Sequence, residues 1–233
     1  LREEAETLAG SRHGVACFIA DSVFSSDGIY EIPKGFLKKI YQEIRSFGGV
    51  VIADEVQSGF GRLGDQMWAY QDEAVVPDIV TMGKPMGNGH PVSALLTHRE
   101  LIESLDQAYN GNSYFNTFGG NPVSAAAALS VLDIIEEDSL IDQAGQVGDY
   151  LKKQLRNTLQ NKESVVEIRG KGLFLGIELD DPSKTAKTME EMMRQGVLVG
   201  KTGPTNSVIK LRPSMTFKKE HADLLVEKLN QCL

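Results

Sequence analysis

The feature that most constrains the fold of this chain is a set of three short apolar runs. Residues 15–20, 50–53 and 79–82 are rich in branched side chains and do not alternate between apolar and polar residues. A strand with one solvated face alternates, whereas a strand covered on both faces is continuously apolar. We therefore expect three strands that are buried on both faces, as in a parallel sheet.

A helix is predicted between the first two runs, because five apolar residues recur there at helical spacing. These residues are Phe36, Leu37, Ile40, Tyr41 and Ile44. Pro33 precedes the segment and Gly48-Gly49 follows it, as is typical at helix boundaries. The order strand, helix, strand predicts a parallel crossover. A fourth run, residues 92–97, follows after a turn too short for such a crossover, so it should pair antiparallel.

The sequence pattern changes near residue 138. Helices are predicted over residues 122–135 and 140–155. Short strands and helices then alternate, with strands at 165–169, 173–179, 197–199 and 208–211, and helices at 186–193 and 224–229. That order is typical of a small α+β unit. We therefore predict an α/β chain with two domains, residues 1–138 around a mostly parallel sheet and residues 139–233 as a smaller α+β domain.

Composition and charge exclude several classes of function. The chain has 24 Lys and Arg residues against 32 Asp and Glu residues, so its net charge is −8, whereas nucleic-acid binding requires a basic surface. No apolar stretch approaches the roughly 18–20 residues that cross a bilayer. Cys17 and Cys232 lack metal-ligand or disulfide spacing. We expect no nucleic-acid, membrane or metal partner, and a cytoplasmic location.

Two residues suited to catalysis follow neighbouring apolar runs. Lys84 follows the run 79–82, and Asp54 follows the run 50–53. The carboxyl ends of parallel strands meet at one edge of a sheet, where ligands bind. A buried lysine that forms a Schiff base, opposite a carboxylate that holds a pyridinium nitrogen, is the combination a pyridoxal-phosphate enzyme needs. Taken singly, Lys84 has an ordinary interpretation as a lysine that extends to solvent, and Asp54 as a helix cap or a salt-bridged strand end.

Three longer segments extend this pattern. They read VIADEVQSGFGR at residues 51–62, PDIVTMGK at residues 77–84 and NTFGGNP at residues 116–122. In order and spacing they closely resemble the class III aminotransferases, pyridoxal 5'-phosphate enzymes of fold type I, and the resemblance covers essentially the whole chain. It implies that residues 1–138 are the C-terminal part of the family's large cofactor-binding domain and that residues 139–233 are its small C-terminal domain.

The resemblance implies roles for four residues. Lys84 resembles the Schiff-base lysine, and Asp54 resembles the aspartate that pairs with the pyridinium nitrogen. Gln57 is similar to the residue that contacts the ring hydroxyl of the cofactor. Thr117 is similar to the threonine that reaches the cofactor phosphate of the neighbouring subunit. The resemblance therefore implies a homodimer with shared active sites that acts on a small-molecule amine.

Two other positions bear on the reaction. Many family members bind an α-carboxylate with an arginine in the penultimate strand and a glutamate in the loop after Asp21, but the matching positions here hold Lys210 and Ser26. Lysine lacks the planar fork that binds a carboxylate through two bonds. The chain looks most like the subgroup of ethanolamine-phosphate phospho-lyase and 5-phosphohydroxylysine phospho-lyase, which eliminate phosphate and ammonia. Lys210 and Arg212 would then hold a substrate phosphate, unless they are ordinary strand-edge charges. Amino-group transfer to a keto acid stays open.

The first residue is Leu1, and residues 1–8 already have the pattern of a helix interior. We therefore expect the chain to be a piece of a longer protein. In the family, a glycine-rich phosphate site and an aromatic side chain that stacks on the cofactor lie upstream of the matched stretch. We accordingly expect the piece alone to be inactive, and the alternative function is an inactive dimerising module of a larger protein.

Overall fold

The computed structural model describes residues 1–111 and 114–233, which form two compact units. The first unit contains Leu1–Ser22, Lys34–Gln57 and Tyr70–Ile134. The second unit contains Val23–Pro33, Ser58–Ala69 and Ile135–Leu233. Two short segments from the first half of the chain thus belong to the second unit, and the division into domains 1–138 and 139–233 stays a prediction.

The first unit is built around one sheet. Its helices and strands, in chain order, are α1 (Arg2–Ala9), β1 (Cys17–Asp21), α2 (Phe36–Ser46), β2 (Val50–Asp54), β3 (Ile79–Met82), β4 (Ala94–Thr97), α3 (Arg99–Ala108) and α4 (Pro122–Glu137). Short 3₁₀ helices lie at Ala69–Glu73 and Lys84–Gly87. The strands are ordered β1-β2-β3-β4 across the sheet.

The predicted crossover is confirmed. β1 and β2 run parallel, with Asp21 opposite Asp54, and α2 connects them. β3 runs parallel to β2, and β4 returns antiparallel to β3, as expected from the short turn before it. One face of α2 is apolar and buried through Leu37, Ile40, Tyr41 and Ile44. This face explains why the helix packs on β2.

The expectation that the three apolar runs form strands buried on both faces is wrong for β1. In β2, Val51 and Ala53 are completely buried, but Ile19 of β1 is 57% exposed. Leu95 and Leu96 of β4 are 57% and 64% exposed. A continuous apolar run reports a preference for burial, whereas actual burial depends on which elements cover the strand. The elements of this unit leave part of β1 and β4 uncovered.

The second unit is an antiparallel sheet packed with helices, which confirms the predicted α+β character. Its elements are α5 (Leu140–Leu159), β5 (Val165–Lys171), β6 (Phe174–Leu179), α6 (Pro182–Arg194), β7 (Gly200–Thr202), β8 (Val208–Leu211) and α7 (Lys219–Cys232). The strand order is β5-β6-β8-β7, with antiparallel neighbours. Leu151, Ile177, Ile209 and Leu229 are completely buried in its core.

The strand predicted over residues 197–199 is wrong. Val197 N donates to Met192 O at 2.9 Å, so this N–H group closes the end of α6 and is not available to a sheet. Pairing with β8 begins at Gly200. Val197 and Val199 pack, partly buried, against the core. The apolar residues in this segment therefore indicate packing and not strand pairing.

Asp78 joins β3 to the two elements that precede it. Its Oδ1 lies 2.8 Å from Arg45 Nη2 of α2, and its Oδ2 accepts a bond of 2.8 Å from Val51 N of β2. Burial disfavours the charged carboxylate, but the bonds from Arg45 and Val51 outweigh burial, so the pKa of Asp78 is lowered. These contacts should stabilise the sheet at neutral pH.

Replacing Asp78 with Asn should lower the free energy of unfolding of the full-length protein by about 1–2 kcal/mol at pH 7, because the amide cannot pair with Arg45. A lowered pKa in the folded state means that the stabilisation is fully present above the unfolded pKa of about 3.9 and is lost as the pH falls through the folded value. Urea unfolding at pH 7 and pH 3 measures this loss.

The matched control is Asp149→Asn, which changes an exposed carboxylate of α5. This variant should unfold like the unmodified protein at pH 7. The deficit of the Asp78 variant should be smaller at pH 3 than at pH 7, because pH 3 lies below the unfolded pKa of about 3.9 and part of the stabilisation is already lost there. An equal deficit at both pH values would contradict the ion-pair explanation.

Candidate active site

The carboxyl ends of β2 and β3 bring Asp54 and Lys84 to one edge of the first unit's sheet. Asp54 is the last residue of β2 and lies opposite Thr81 of β3. Thr81 Oγ1 donates to Asp54 Oδ1 at 3.3 Å. Lys84 begins the 3₁₀ helix that follows β3. The predicted placement of the two residues at neighbouring strand ends is confirmed.

The carboxylate of Asp54 is oriented by two donors. Besides Thr81 Oγ1, Val56 N donates to Asp54 Oδ1 at 3.0 Å. Both bonds use the same oxygen, and Oδ2 takes part in neither. A carboxylate oxygen is a hydrogen-bond acceptor, so Oδ2 is the atom that can accept a hydrogen bond from a ligand. The sequence did not predict the role of Thr81, although this residue stands directly opposite Asp54 in the sheet.

Lys84 is exposed, which corrects the expectation of a buried lysine. Lys84 follows the end of β3, so it does not belong to the sheet. Within residues 1–111 and 114–233, its Nζ has no ion pair or hydrogen bond. An amine that no carboxylate holds is available to react with a carbonyl group.

Glu55, the residue after Asp54, received no role from the sequence. It is completely buried, and its Oε1 accepts bonds from Ser22 Oγ at 2.8 Å and Tyr70 N at 3.0 Å. Burial and then the charge of Glu55 raise the pKa of Tyr41 to about 12. These bonds tie the ends of β1 and β2 to the 3₁₀ helix at Ala69–Glu73, and they support the backbone that carries Asp54.

The other two residues predicted to bind the cofactor lie in loops of the same unit. Gln57 is half-buried and follows Asp54 in the turn after β2. Thr117 is exposed in the segment before α4. This segment turns at Asn116, whose carbonyl accepts a bond of 3.1 Å from Gly119 N. All four residues predicted to bind the cofactor therefore belong to the first unit.

The residues predicted to bind substrate, Lys210 and Arg212, belong to the second unit. Lys210 lies on β8 opposite Gly200 of β7, and Arg212 directly follows β8. Both line a cavity of about 490 Å³, together with His221. The described residues that line this cavity include no Asp or Glu. Its ionisable lining groups are therefore all basic.

Arg62 adds a further cation beside this cavity. Its Nη1 donates at 2.8 Å to the carbonyl oxygen of Pro213, which lines the cavity, and at 3.2 Å to Leu173 O. Burial, and then repulsion by Arg212, lower the pKa of Arg62 to about 10. Arg62 therefore stays charged at neutral pH and adds to the positive potential at this end of the second unit.

Ser26 lies in a loop whose backbone is held within the second unit. Thr202 Oγ1 donates to Ser25 O at 2.8 Å and to Ser26 O at 3.0 Å, and Gly203 N donates to Ser26 O at 3.1 Å. These bonds fix the position of residue 26 through its backbone. A substitution of Ser26 should therefore leave the backbone position of this residue unchanged.

Metal-binding clusters and membrane-spanning helices are both absent from the described residues. No group of three or more His, Cys, Asp or Glu side chains in the described part of the chain is arranged to hold a metal ion. Among the described helices, none combines the length and the apolar character that a membrane span requires.

Comparison with known proteins identifies relatives along the whole chain. The family model Aminotransferase class-III matches residues 1–233. A Drosophila melanogaster protein named alanine–glyoxylate aminotransferase 2-like is 44% identical over 242 residues, which cover 100% of this chain and 49% of that protein. Ethanolamine-phosphate phospho-lyase homolog 1 of Caenorhabditis elegans is 38% identical over 231 residues, which cover 94% of this chain and 49% of that protein. The chain thus spans about half the length of the curated relatives it matches.

The solved structures that resemble this chain likewise include a phospholyase and an aminotransferase. A phospholyase from Arthrobacter in complex with phosphoethanolamine superposes with a TM-score of 0.93 at 43% identity, covering 99% of this chain and 56% of that one. A Bacillus anthracis aminotransferase superposes with a TM-score of 0.91 at 30% identity, covering 99% and 55%. These likenesses confirm the predicted α/β fold of the fold type I aminotransferases. Because the family model matches every residue and the fold is the same, the chain belongs to the class III aminotransferase family.

Proposed function

We propose that the full-length protein is a pyridoxal 5'-phosphate enzyme that acts on a small primary amine. The observation that carries the proposal is the hydrogen bond between Asp54 and Thr81. This bond orients the Asp54 carboxylate at the edge of the sheet, next to the point where Lys84 follows the end of β3. Membership of the family supports this cofactor. When bound, the cofactor supplies an electron sink for the carbon next to the substrate nitrogen.

The residues of the first unit fit such a cofactor. Asp54 Oδ2 would accept a hydrogen bond from the N–H group of the pyridinium nitrogen, and a carboxylate beside that nitrogen favours its protonated form. Lys84 would hold the aldehyde carbon of the cofactor. Once the substrate amine has displaced Lys84, its Nζ would take the proton from the substrate carbon and return it. Gln57 would contact the ring hydroxyl, and Thr117 would contact the phosphate group in the partner subunit.

Elimination from a phosphorylated amine is the reaction that the observations favour. Lys210 has no planar fork and Ser26 has no carboxylate, so the family's usual contact to an α-carboxylate is not reproduced. The basic cavity lined by Lys210, Arg212 and His221 suits a phosphate group. In this reaction a proton leaves the carbon that bears nitrogen, and the C–O bond breaks with its electron pair leaving on phosphate. Water then releases ammonia and leaves a carbonyl product.

Amino-group transfer to a keto acid is the second candidate, because a relative 44% identical is named an aminotransferase. Product analysis of the full-length protein separates the two reactions. One sample contains phosphoethanolamine and is assayed for inorganic phosphate and ammonia. The other contains alanine and glyoxylate and is assayed for new amino acid. Release of phosphate supports the lyase, whereas efficient amino transfer without phosphate release would exclude it.

Replacing Lys210 with Arg tests the choice of substrate. The new guanidinium can bind an α-carboxylate through two bonds, so the KM for an α-amino acid should fall by the equivalent of about 1–3 kcal/mol. Turnover of phosphoethanolamine should fall at the same time. Lys201→Arg is the matched control, because Lys201 is exposed on the neighbouring β7 and does not line the cavity. Equal effects of the two substitutions would remove Lys210 from the substrate site.

A homodimer with shared active sites is the proposed assembly. The segment around Thr117 exposes three aromatic side chains, with Tyr114 at 79%, Phe115 at 86% and Phe118 at 80%. Clustered exposed aromatic residues mark protein contacts more often than free surface. These side chains support packing of the segment against a second subunit. Light scattering of the full-length protein tests this, since a mass of one chain would exclude the shared site.

The proposed location is the cytoplasm, although relatives from Arabidopsis thaliana and Homo sapiens carry the word mitochondrial in their names. Cell fractionation decides between the two compartments.

The alternative function, an inactive dimerising module, is distinguished from an enzyme by the colour of the protein. A protein that holds the cofactor covalently absorbs visible light, whereas a module that binds no cofactor does not.

A further inference from the structure

A hydrogen-bond network joins the loop after Lys84 to the first turn of α4. His90 Nε2 lies 2.8 Å from Ser124 Oγ. Asn121 Nδ2 donates to the same oxygen at 2.8 Å, and Ser124 N donates to Asn121 Oδ1 at 2.9 Å. All three residues are half-buried and belong to the first unit.

Each end of this network reaches a part of the proposed site. His90 N donates at 2.9 Å to the carbonyl group of the last residue in the 3₁₀ helix Lys84–Gly87. At the other end, Asn121 Nδ2 also donates to Phe118 O at 2.9 Å, and Phe118 directly follows Thr117. The bonds therefore link the Lys84 turn (residues 84–87) to the Thr117 segment (residues 114–121).

Ser124 is the centre of the network because its hydroxyl group has one proton and two acceptor sites. The Asn121 amide occupies one acceptor site. With a neutral His90 that accepts at Nε2, the hydroxyl proton completes the bond. With a protonated His90, Nε2 becomes the donor and occupies the second acceptor site. The bond between His90 and Ser124 is therefore kept in both charge states, but it requires a hydroxyl group at position 124.

We infer that Ser124, with His90 and Asn121, is a positioning site that holds the Thr117 segment for contact with the cofactor phosphate. The inference rests on the proposed function, in which Thr117 reaches that phosphate in the partner subunit. Thr117 itself is exposed and is not hydrogen-bonded to any described residue. Its place is therefore set by its neighbours, and Asn121 fixes the backbone directly after it.

The test uses four variants of the full-length protein. Ser124→Ala and His90→Ala each remove one side of the central bond. Ser124→Thr restores a hydroxyl group. Ser130→Ala is the matched control, because Ser130 lies on the same helix and its Oγ donates to Ala126 O at 3.0 Å, away from the network.

Two measurements are made on each variant. Amide hydrogen exchange of residues 114–121 is followed without cofactor, and the Kd for pyridoxal 5'-phosphate is measured from the visible absorbance of the complex. Loss of one neutral hydrogen bond should make exchange in this segment about 3- to 10-fold faster and raise the Kd by about the same factor. Both alanine variants of the network should show these changes. Ser124→Thr and Ser130→Ala should remain close to the unmodified protein.

The outcomes separate this inference from the proposed function. Unchanged exchange in both Ser124→Ala and His90→Ala overturns the inference, and so does an unchanged Kd in both. Equal changes in Ser130→Ala also overturn it, because they would reflect a general effect on α4. If the unmodified full-length protein forms no visible complex with the cofactor, the proposed function fails, and the positioning role fails with it.

Discussion

Replacing Lys84 with Ala should abolish covalent attachment of the cofactor and lower turnover of the full-length protein by at least roughly a thousandfold, since one side chain is the proposed attachment point and the proposed base. The fold should be unaffected. Lys84 is exposed and makes no ion pair or hydrogen bond with the described residues, so the free energy of unfolding should change by less than about 0.5 kcal/mol.

Borohydride reduction followed by peptide mapping locates the attachment point. The unmodified protein should carry a pyridoxyl group on Lys84, and the variant should carry none. The matched control is Lys39→Ala, which removes an exposed lysine of α2 and should leave both the label and turnover unchanged. A pyridoxyl group on a different lysine would disprove the assignment.

Replacing Asp54 with Asn should lower turnover roughly 100- to 1000-fold, which is the usual loss when one preorganised electrostatic contact is removed from an active site. The amide carries no negative charge, so it no longer favours the protonated form of the cofactor nitrogen. Its oxygen can still accept the bonds from Val56 N and Thr81 Oγ1 that orient Asp54. The local structure should therefore persist, and the cofactor should still bind.

The variant is compared with Asp133→Asn, which changes an exposed carboxylate of α4 in the same unit. Turnover, bound cofactor and thermal unfolding are measured for both variants. Low turnover with retained cofactor supports an electrostatic role for Asp54. Near-normal turnover would show that this carboxylate is structural, and loss of both cofactor and folding would show that it holds the sheet together.

The parts of the fold that were predictable depend on local patterns. Helical spacing in α2 and the short turn before β4 were enough to predict the parallel crossover and the antiparallel return. Helix α3 was missed, although Leu101, Ile102 and Leu105 recur at helical spacing. The strand expected at 197–199 failed because Val197 N bonds to the end of α6. A local apolar pattern cannot report such a competing partner.

The bonds that organise the site were not predictable in the same way. Glu55 meets Ser22 across 33 positions of the chain, and His90 meets Ser124 across 34. Each of these residues looks ordinary in the sequence. Only folding brings the two members of each pair together, so their roles follow from distances and not from residue type.

By itself, the sequence determined the direction of the strands, the position of Asp54 and Lys84 at neighbouring strand ends, and the resemblance to the family. These features depend on residue spacing along the chain, which local steric and hydrophobic preferences translate into structure. The tertiary structure alone decided that Lys84 is exposed, that Asp54 is held through Oδ1, and that Ser124 links the Lys84 turn to the Thr117 segment. Burial and hydrogen-bond geometry depend on residues that are remote in sequence, and only the packed chain brings them together.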